Sequence, residues 1–179
     1  MPKENIERAI KRGTGELAGE SLETVSYEGF GPGGIAIIID GITDNTNRTL
    51  GEIKSILNQN GGKMAGEGAV RWMFERKGTI AVATGTQTKE ELELMAIELG
   101  AEDVSSKENT VEIYTKPENL ENVKKALEGK GVKIESSSID MVAKEEVALS
   151  EKEKEQAQRL FDALDENDAV NEIYSNIKN

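Results

Sequence analysis

The hydrophobic positions of this chain follow two periods, which alternate from one end to the other. Apolar residues three and four positions apart predict amphipathic helices, and several of these end at glycine. Alternating or continuous apolar runs between turn residues predict strands. The predicted helices cover residues 2–12, 46–59, 88–99, 117–128 and 150–164. The predicted strands cover residues 22–29, 35–42, 69–76, 79–84, 102–105, 109–115, 131–142 and 170–177.

These elements form hairpin-plus-helix units, which predict an α+β fold. Two small antiparallel-sheet domains, each with helices on one face, are expected. Residues 64–139 have the order ββαββαβ, close to a ferredoxin-like unit with one extra strand. Residues 1–63 and 140–179 would then form a discontinuous α+β domain that the ferredoxin-like domain interrupts.

A glycine-rich turn, YEGFGPGG at residues 27–34, precedes the apolar run 35–39. It is typical of a hairpin that leads into a buried strand. It could be only a hairpin connection, or a surface where backbone approaches RNA or protein. A phosphate cradle is disfavoured, because that geometry requires a strand followed by a helix. The candidate contacts in this turn are Phe30, Gly31, Pro32 and Gly33.

A second polar string, TDNTNRT at residues 43–49, leads into the helix predicted at 46–59. It could simply cap the helix, with Thr49 and Glu52 as a capping box. Alternatively, Arg48 could contact a phosphate beside the helix N-terminus, with Asn45 and Asn47 as neighbouring contacts.

The segment 69–77 carries Trp72, the only tryptophan of the sequence. Strand alternation places Trp72 on one face with Val70 and Phe74, which predicts a core position. The alternative is a stacking platform for an unpaired base, flanked by cations. These cations are Arg71, Arg76 and Lys77.

The net charge of −12 is unevenly distributed along the chain. Residues 1–78 hold 10 Lys/Arg and 11 Asp/Glu, whereas residues 79–179 hold 12 and 23. Since clustered cations bind phosphate, any nucleic acid would contact the first part. There we expect the arginine-bearing segments to converge on one exposed patch, with Arg8, Lys11 and Arg12 as further candidates. The acidic remainder is a solvated surface or a contact for a basic protein partner.

The composition also narrows the possible chemistry. The sequence has no cysteine and no histidine, so thiolate and histidine-based catalysis are excluded. No motif pairs a nucleophile with a base, and we expect no enzyme activity, cofactor, metal site or small-molecule substrate. No apolar stretch is long enough to cross a membrane, and no leader pattern is evident. A soluble cytoplasmic protein is therefore expected.

Four blocks of the sequence resemble the YebC/PmpR family. They are MPKENIERAI at 1–10, YEGFGPGG at 27–34, TDNTNRT at 43–49 and GEGAVRWMFERKG at 66–78. The resemblance implies a probable transcriptional regulator, with mitochondrial relatives that activate translation of cytochrome c oxidase subunit I. It also implies a basic helical domain ahead of the first block. The function expected is non-enzymatic regulation of gene expression through contact with DNA, or with the ribosome or its RNA. The alternative is an acidic protein-interaction module that makes no nucleic-acid contact.

Overall fold

The computed structural model describes residues 21–178, which form two four-stranded sheets and four α-helices. The helix predicted at residues 2–12 lies outside the described residues. The elements in chain order are β1 (Glu23–Phe30), β2 (Ala36–Thr43), α1 (Thr46–Gln59), β3 (Lys63–Ala65), β4 (Phe74–Ala83), α2 (Lys89–Glu98), β5 (Asp103–Ser106), β6 (Thr110–Thr115), α3 (Leu120–Gly129), β7 (Ile134–Ala143), α4 (Glu151–Asp165) and β8 (Val170–Ser175). The predicted α+β class is confirmed.

The first sheet has the strand order β3-β1-β2-β8. β1 and β2 form an antiparallel hairpin in which Phe30 lies opposite Ala36. Ile37 and Ile39 of β2 pack against helices α1 and α4 in one apolar core. The next residue, Ile38, points to the other face and is fully buried as well. A strand buried on both faces accounts for the continuous isoleucine run.

The second sheet has the order β5-β6-β4-β7 and belongs to residues 75–142. The element order βαββαβ and this strand order are those of a ferredoxin-like unit. Helices α2 and α3 contribute Leu92, Ala96, Val123 and Leu127 to its core. The unit has no extra strand, because the strands predicted at 69–76 and 79–84 are one strand, β4, preceded by a short 3₁₀ turn at Arg71–Met73.

Two predicted boundaries change in the structure. The break predicted between the strands at 69–76 and 79–84 is wrong, since Gly78 lies inside β4 opposite Thr115, and a side chain there would overlap the Thr115 hydroxyl. β3 pairs with β1, so it belongs to the first sheet rather than to the inserted unit. The described residues accordingly divide into 21–74 with 143–178, and 75–142. The predicted inserted domain, residues 64–139, therefore begins earlier in the chain than the observed unit 75–142 and ends close to where that unit ends.

Helix α4 begins with a capping box, which the spacing of Ser150 and Glu153 in the sequence predicts. The Ser150 side chain accepts a hydrogen bond from the backbone N–H of Glu153, and the Glu153 carboxylate accepts from the Ser150 backbone and hydroxyl. These hydrogen bonds lower the pKa of Glu153 below its usual value, the backbone N–H of Ser150 contributing most. A negative charge at this helix N-terminus is favourable.

Two glycines provide a matched test of packing in the first sheet. A Cβ on Gly41, at an irregularity of β2, would overlap the carbonyl oxygen of Ala169, whereas a Cβ on Gly51 of α1 would face open space. We expect Gly41→Ala to destabilise the protein by about 1–3 kcal/mol. Gly51→Ala should stabilise it by about 0.5–1 kcal/mol, because alanine is the better helix former. Urea unfolding measures the change in the free energy of unfolding for both variants. If Gly41→Ala and Gly51→Ala change it equally, the packing described for Gly41 is contradicted.

The capping box predicts a pH dependence of stability. Because the pKa of Glu153 is lowered in the folded state, its stabilising contribution is present above the unfolded pKa and is lost as the pH falls through the folded pKa. We expect Glu153→Gln to lower the unfolding temperature at neutral pH and to have a smaller effect at pH values below the folded pKa. The measurement is thermal unfolding of both proteins across that range. A constant difference between them would contradict the prediction.

Candidate functional site

The glycine-rich turn closes the hairpin between β1 and β2. Gly31 donates its N–H to the Ile35 carbonyl at 2.8 Å, and Gly34 donates to Gly31 at 3.0 Å. Gly33 and Gly34 both have positive φ angles, of 72° and 77°, which glycine adopts without strain. Only these two reach the surface, because Gly31 and Pro32 are buried and Phe30 is half-buried. Among the predicted contacts of this turn, Gly33 is therefore the most accessible.

The polar string before α1 caps that helix. Asn45 is the N-cap, and its side-chain oxygen accepts from the Arg48 backbone N–H at 3.0 Å. The predicted capping box of Thr49 with Glu52 is wrong, because Thr49 is buried and its hydroxyl hydrogen-bonds to Thr43 at 2.7 Å. The helix therefore begins one turn earlier than that box required, and Asn47 lies exposed in its first turn.

Arg48 is surrounded by carboxylates. Its guanidinium lies 2.6 Å from Asp44 and 3.7 Å from Glu52. An open cavity of about 430 Å³ beside it is also lined by Glu166 and Asp168. The local charge is thus negative, and this cavity suits a phosphate poorly.

Arg71 is held by a buried carboxylate on β1. Its Nε donates to Glu28 at 3.1 Å, and its Nη2 donates to the Ser26 hydroxyl at 2.5 Å. The Ser26 hydroxyl in turn donates to Asp40 at 2.6 Å. Glu28 is 4% exposed and also accepts from the Val70 N–H at 3.4 Å. The network fixes the segment before β4 onto the face of the sheet opposite α1.

Trp72 lies at the surface, with 65% of its area exposed. The predicted core position is wrong, because residues 71–73 form a 3₁₀ turn rather than a strand. The turn buries Val70 and Phe74 and directs Trp72 outward. The indole N–H donates to the Ala69 carbonyl at 2.9 Å, so the ring presents an apolar face without an unsatisfied polar group.

The remaining predicted cations belong to other parts of the chain. Arg76 and Lys77 belong to the unit 75–142, where Lys77 lies 3.7 Å from Glu75 and 3.9 Å from Glu102. Arg48 lies in the first turn of α1, whereas Arg71 contacts the sheet face away from that helix. Arg48 and Arg71 are each paired with a carboxylate, and the expected patch of arginines stays a prediction. Arg8, Lys11 and Arg12 lie outside the described residues.

A groove beside Trp72 was not anticipated from the sequence. It has a volume of about 380 Å³, and its lining includes Gly34, Trp72, Met73, Glu145 and Glu146. In the sequence, the segment from Glu145 to Val147 is distinguished only by belonging to the acidic second half. A short extended stretch between two regular elements gave no period from which its position could be predicted.

Two further results limit the chemistry of the described part. No group of three or more acidic side chains there is arranged to hold a metal ion. No helix among residues 21–178 has the length and apolar character that a membrane span requires. The Tyr27 hydroxyl is buried without a hydrogen-bond partner among residues 21–178, and burial raises its pKa.

Comparison with known proteins assigns the chain to a family. The family model described as TACO1/YebC second and third domain matches residues 22–177. A probable transcriptional regulatory protein of Caldanaerobacter subterraneus subsp. tengcongensis is 48% identical over 179 residues, which cover 99% of this chain and 74% of the relative. Another, of Thermoanaerobacter pseudethanolicus, is 45% identical, with 99% and 73% covered.

A solved structure agrees with the fold. The crystal structure of a conserved hypothetical protein from Aquifex aeolicus matches with a TM-score of 0.83 at 44% sequence identity. The match covers 99% of this chain and 74% of the other. The chain therefore belongs to the TACO1/YebC family, and residues 22–177 correspond to its second and third domains.

Proposed function

We propose that this protein is a non-enzymatic regulator of gene expression that associates with the ribosome, and that residues 21–178 contact protein rather than nucleic-acid phosphate. The similarity to proteins named probable transcriptional regulatory proteins supports a regulatory role. The resemblance to mitochondrial translational activators favours the ribosome as the place of action. The absence of cysteine and histidine from the sequence supports regulation without catalysis.

The observation that carries this proposal is the pairing of Arg48 and Arg71 with carboxylates. Asp44 neutralises Arg48, and the buried Glu28 neutralises Arg71. A phosphate would have to compete with both carboxylates and would meet further acidic residues beside Arg48. Exposed carboxylates on α4, such as Glu155 and Asp162, instead complement a basic protein surface.

One observation favours direct RNA contact as a second candidate function. The exposed face of Trp72 could stack on an unpaired base, and the half-exposed guanidinium of Arg71 is its neighbour in the chain. The two candidates differ in how steeply binding depends on salt, since phosphate contacts release counterions.

Ribosome association tests the protein-contact proposal. We expect the chain to co-sediment with ribosomes, and E155Q/D162N to weaken this association severalfold because it removes two exposed negative charges from α4. Arg48→Gln should change the association less than twofold, because Asp44 already neutralises this cation. The assay is run at about 50 and about 200 mM salt. A steep loss with salt together with a strong effect of Arg48→Gln would favour phosphate contact instead.

The role of Arg71 as a structural partner is tested by unfolding. Arg71→Met leaves the carboxylate of Glu28 buried with a single weak donor, so we expect a loss of about 3 kcal/mol. Glu28→Gln leaves only the half-exposed arginine, which water can solvate, and should cost about 1 kcal/mol. Urea unfolding measures both variants. If Arg71→Met lowers the free energy of unfolding no more than Glu28→Gln does, Arg71 does not stabilise the protein by pairing with Glu28.

A further inference from the structure

The groove beside Trp72 has walls that the backbone holds in place. Lys144 donates its N–H to the Met73 carbonyl at 2.9 Å, and Val147 donates to the Asn176 carbonyl at 2.7 Å. The Asn176 side chain, 6% exposed, accepts from the Ala36 N–H at 2.9 Å. The wall that carries Glu145 and Glu146 is thus fixed at both ends, and the groove exists before any partner arrives.

The floor and the entrance of the groove are open. Trp72 presents its ring, whose N–H is already satisfied by Ala69, so the indole is suited to contact through its face. Apart from its two chain neighbours, no described residue would lie within 4 Å of a Cβ on Gly34, so a partner's backbone can approach this side closely. The Glu28–Arg71 pair holds the turn that carries the indole.

The charge of the groove is negative. Glu145 and Glu146 are exposed, and no ion pair within the described part of the chain engages either of them. Lys144 is the one cation among the lining residues. A cation in such a groove is attracted both by the negative charge of the carboxylates and by the quadrupole of the aromatic ring. The same carboxylates repel a phosphate backbone.

We propose that this groove is a docking site for an extended, basic protein segment, with an arginine or lysine side chain lying across Trp72 and its charge beside Glu145 and Glu146. The proposal deepens the proposed function and rests on its premise that the described residues contact protein. An arginine fits best, because its planar guanidinium stacks on an indole while donating hydrogen bonds to carboxylates.

Because Trp72 is the only tryptophan of the sequence, intrinsic fluorescence reports on this groove. The full chain is titrated with a blocked peptide of alternating arginine and glycine. The same peptide with uncharged citrulline in place of arginine, and a short uridine oligonucleotide, serve as comparison probes. We expect saturable quenching with the arginine peptide, at least tenfold weaker binding of the citrulline peptide, and none of the oligonucleotide.

Variants locate the binding. E145Q/E146Q should weaken binding of the arginine peptide about tenfold, whereas E118Q/E121Q, which removes two exposed carboxylates from the other unit, should leave it unchanged. Trp72→Ala, followed by calorimetry because the fluorophore is lost, should also weaken it about tenfold. Circular dichroism confirms that each variant is folded.

The proposal is overturned if the arginine peptide does not bind, if citrulline binds equally well, or if E145Q/E146Q has no effect. Saturable binding of the uridine oligonucleotide would assign the indole to RNA instead. If the chain does not co-sediment with ribosomes but still binds the arginine peptide, ribosome association is contradicted and the groove remains a site for basic peptides. Ribosome association that survives E145Q/E146Q, with peptide binding lost, would place the ribosomal contact elsewhere.

Discussion

The buried carboxylate of Glu28 is the constraint on which the first sheet and its surface depend. It lies opposite Ile38 in the hairpin, on the face that the helices leave uncovered. A carboxylate at 4% exposure is costly unless it is paired, and here Arg71 and the Val70 N–H supply the partners. Satisfying it draws the segment before β4 onto that face. This contact joins β1 to the segment before β4, two parts of the chain that are far apart in the sequence.

The same constraint determines what reaches the surface. With Arg71 turned toward the sheet and Val70 and Phe74 buried, the 3₁₀ turn leaves Trp72 no inward position. The indole N–H of Trp72 donates a hydrogen bond to the Ala69 carbonyl, and the ring remains exposed to solvent. An exposed tryptophan beside an arginine that pairs with a buried carboxylate is a defined feature of the surface. Large apolar side chains in such positions commonly contribute to binding.

Much of the fold could be predicted because its signals are local. Helical spacing gave α1 and α4 almost to the residue, and the Ser150–Glu153 box gave the start of α4. The errors arose where a tertiary contact overrides a local pattern. Gly78 had the appearance of a turn, but β4 requires a glycine there because Thr115 and Leu120 lie against it. Alternation placed Trp72 inside, and Glu28 could not be recognised as the partner of Arg71 across 43 positions of sequence.

The candidate site was predicted less well, because charge in a sequence does not show how charges are paired. Arg48 and Arg71 were counted as available cations, yet each has a carboxylate within hydrogen-bonding distance. Conversely, Glu145 and Glu146 seemed part of a uniform acidic half, yet they are unpaired within the described residues and border an aromatic groove. The ion pairs therefore change which charges a partner can reach: the paired arginines are less available, and the carboxylates of Glu145 and Glu146 are more so. Arg48 and Arg71 are neutralised by carboxylates, and the exposed ring of Trp72 lies beside two carboxylates that no ion pair among residues 21–178 engages. Such a surface is better suited to a cationic protein than to a polyanion.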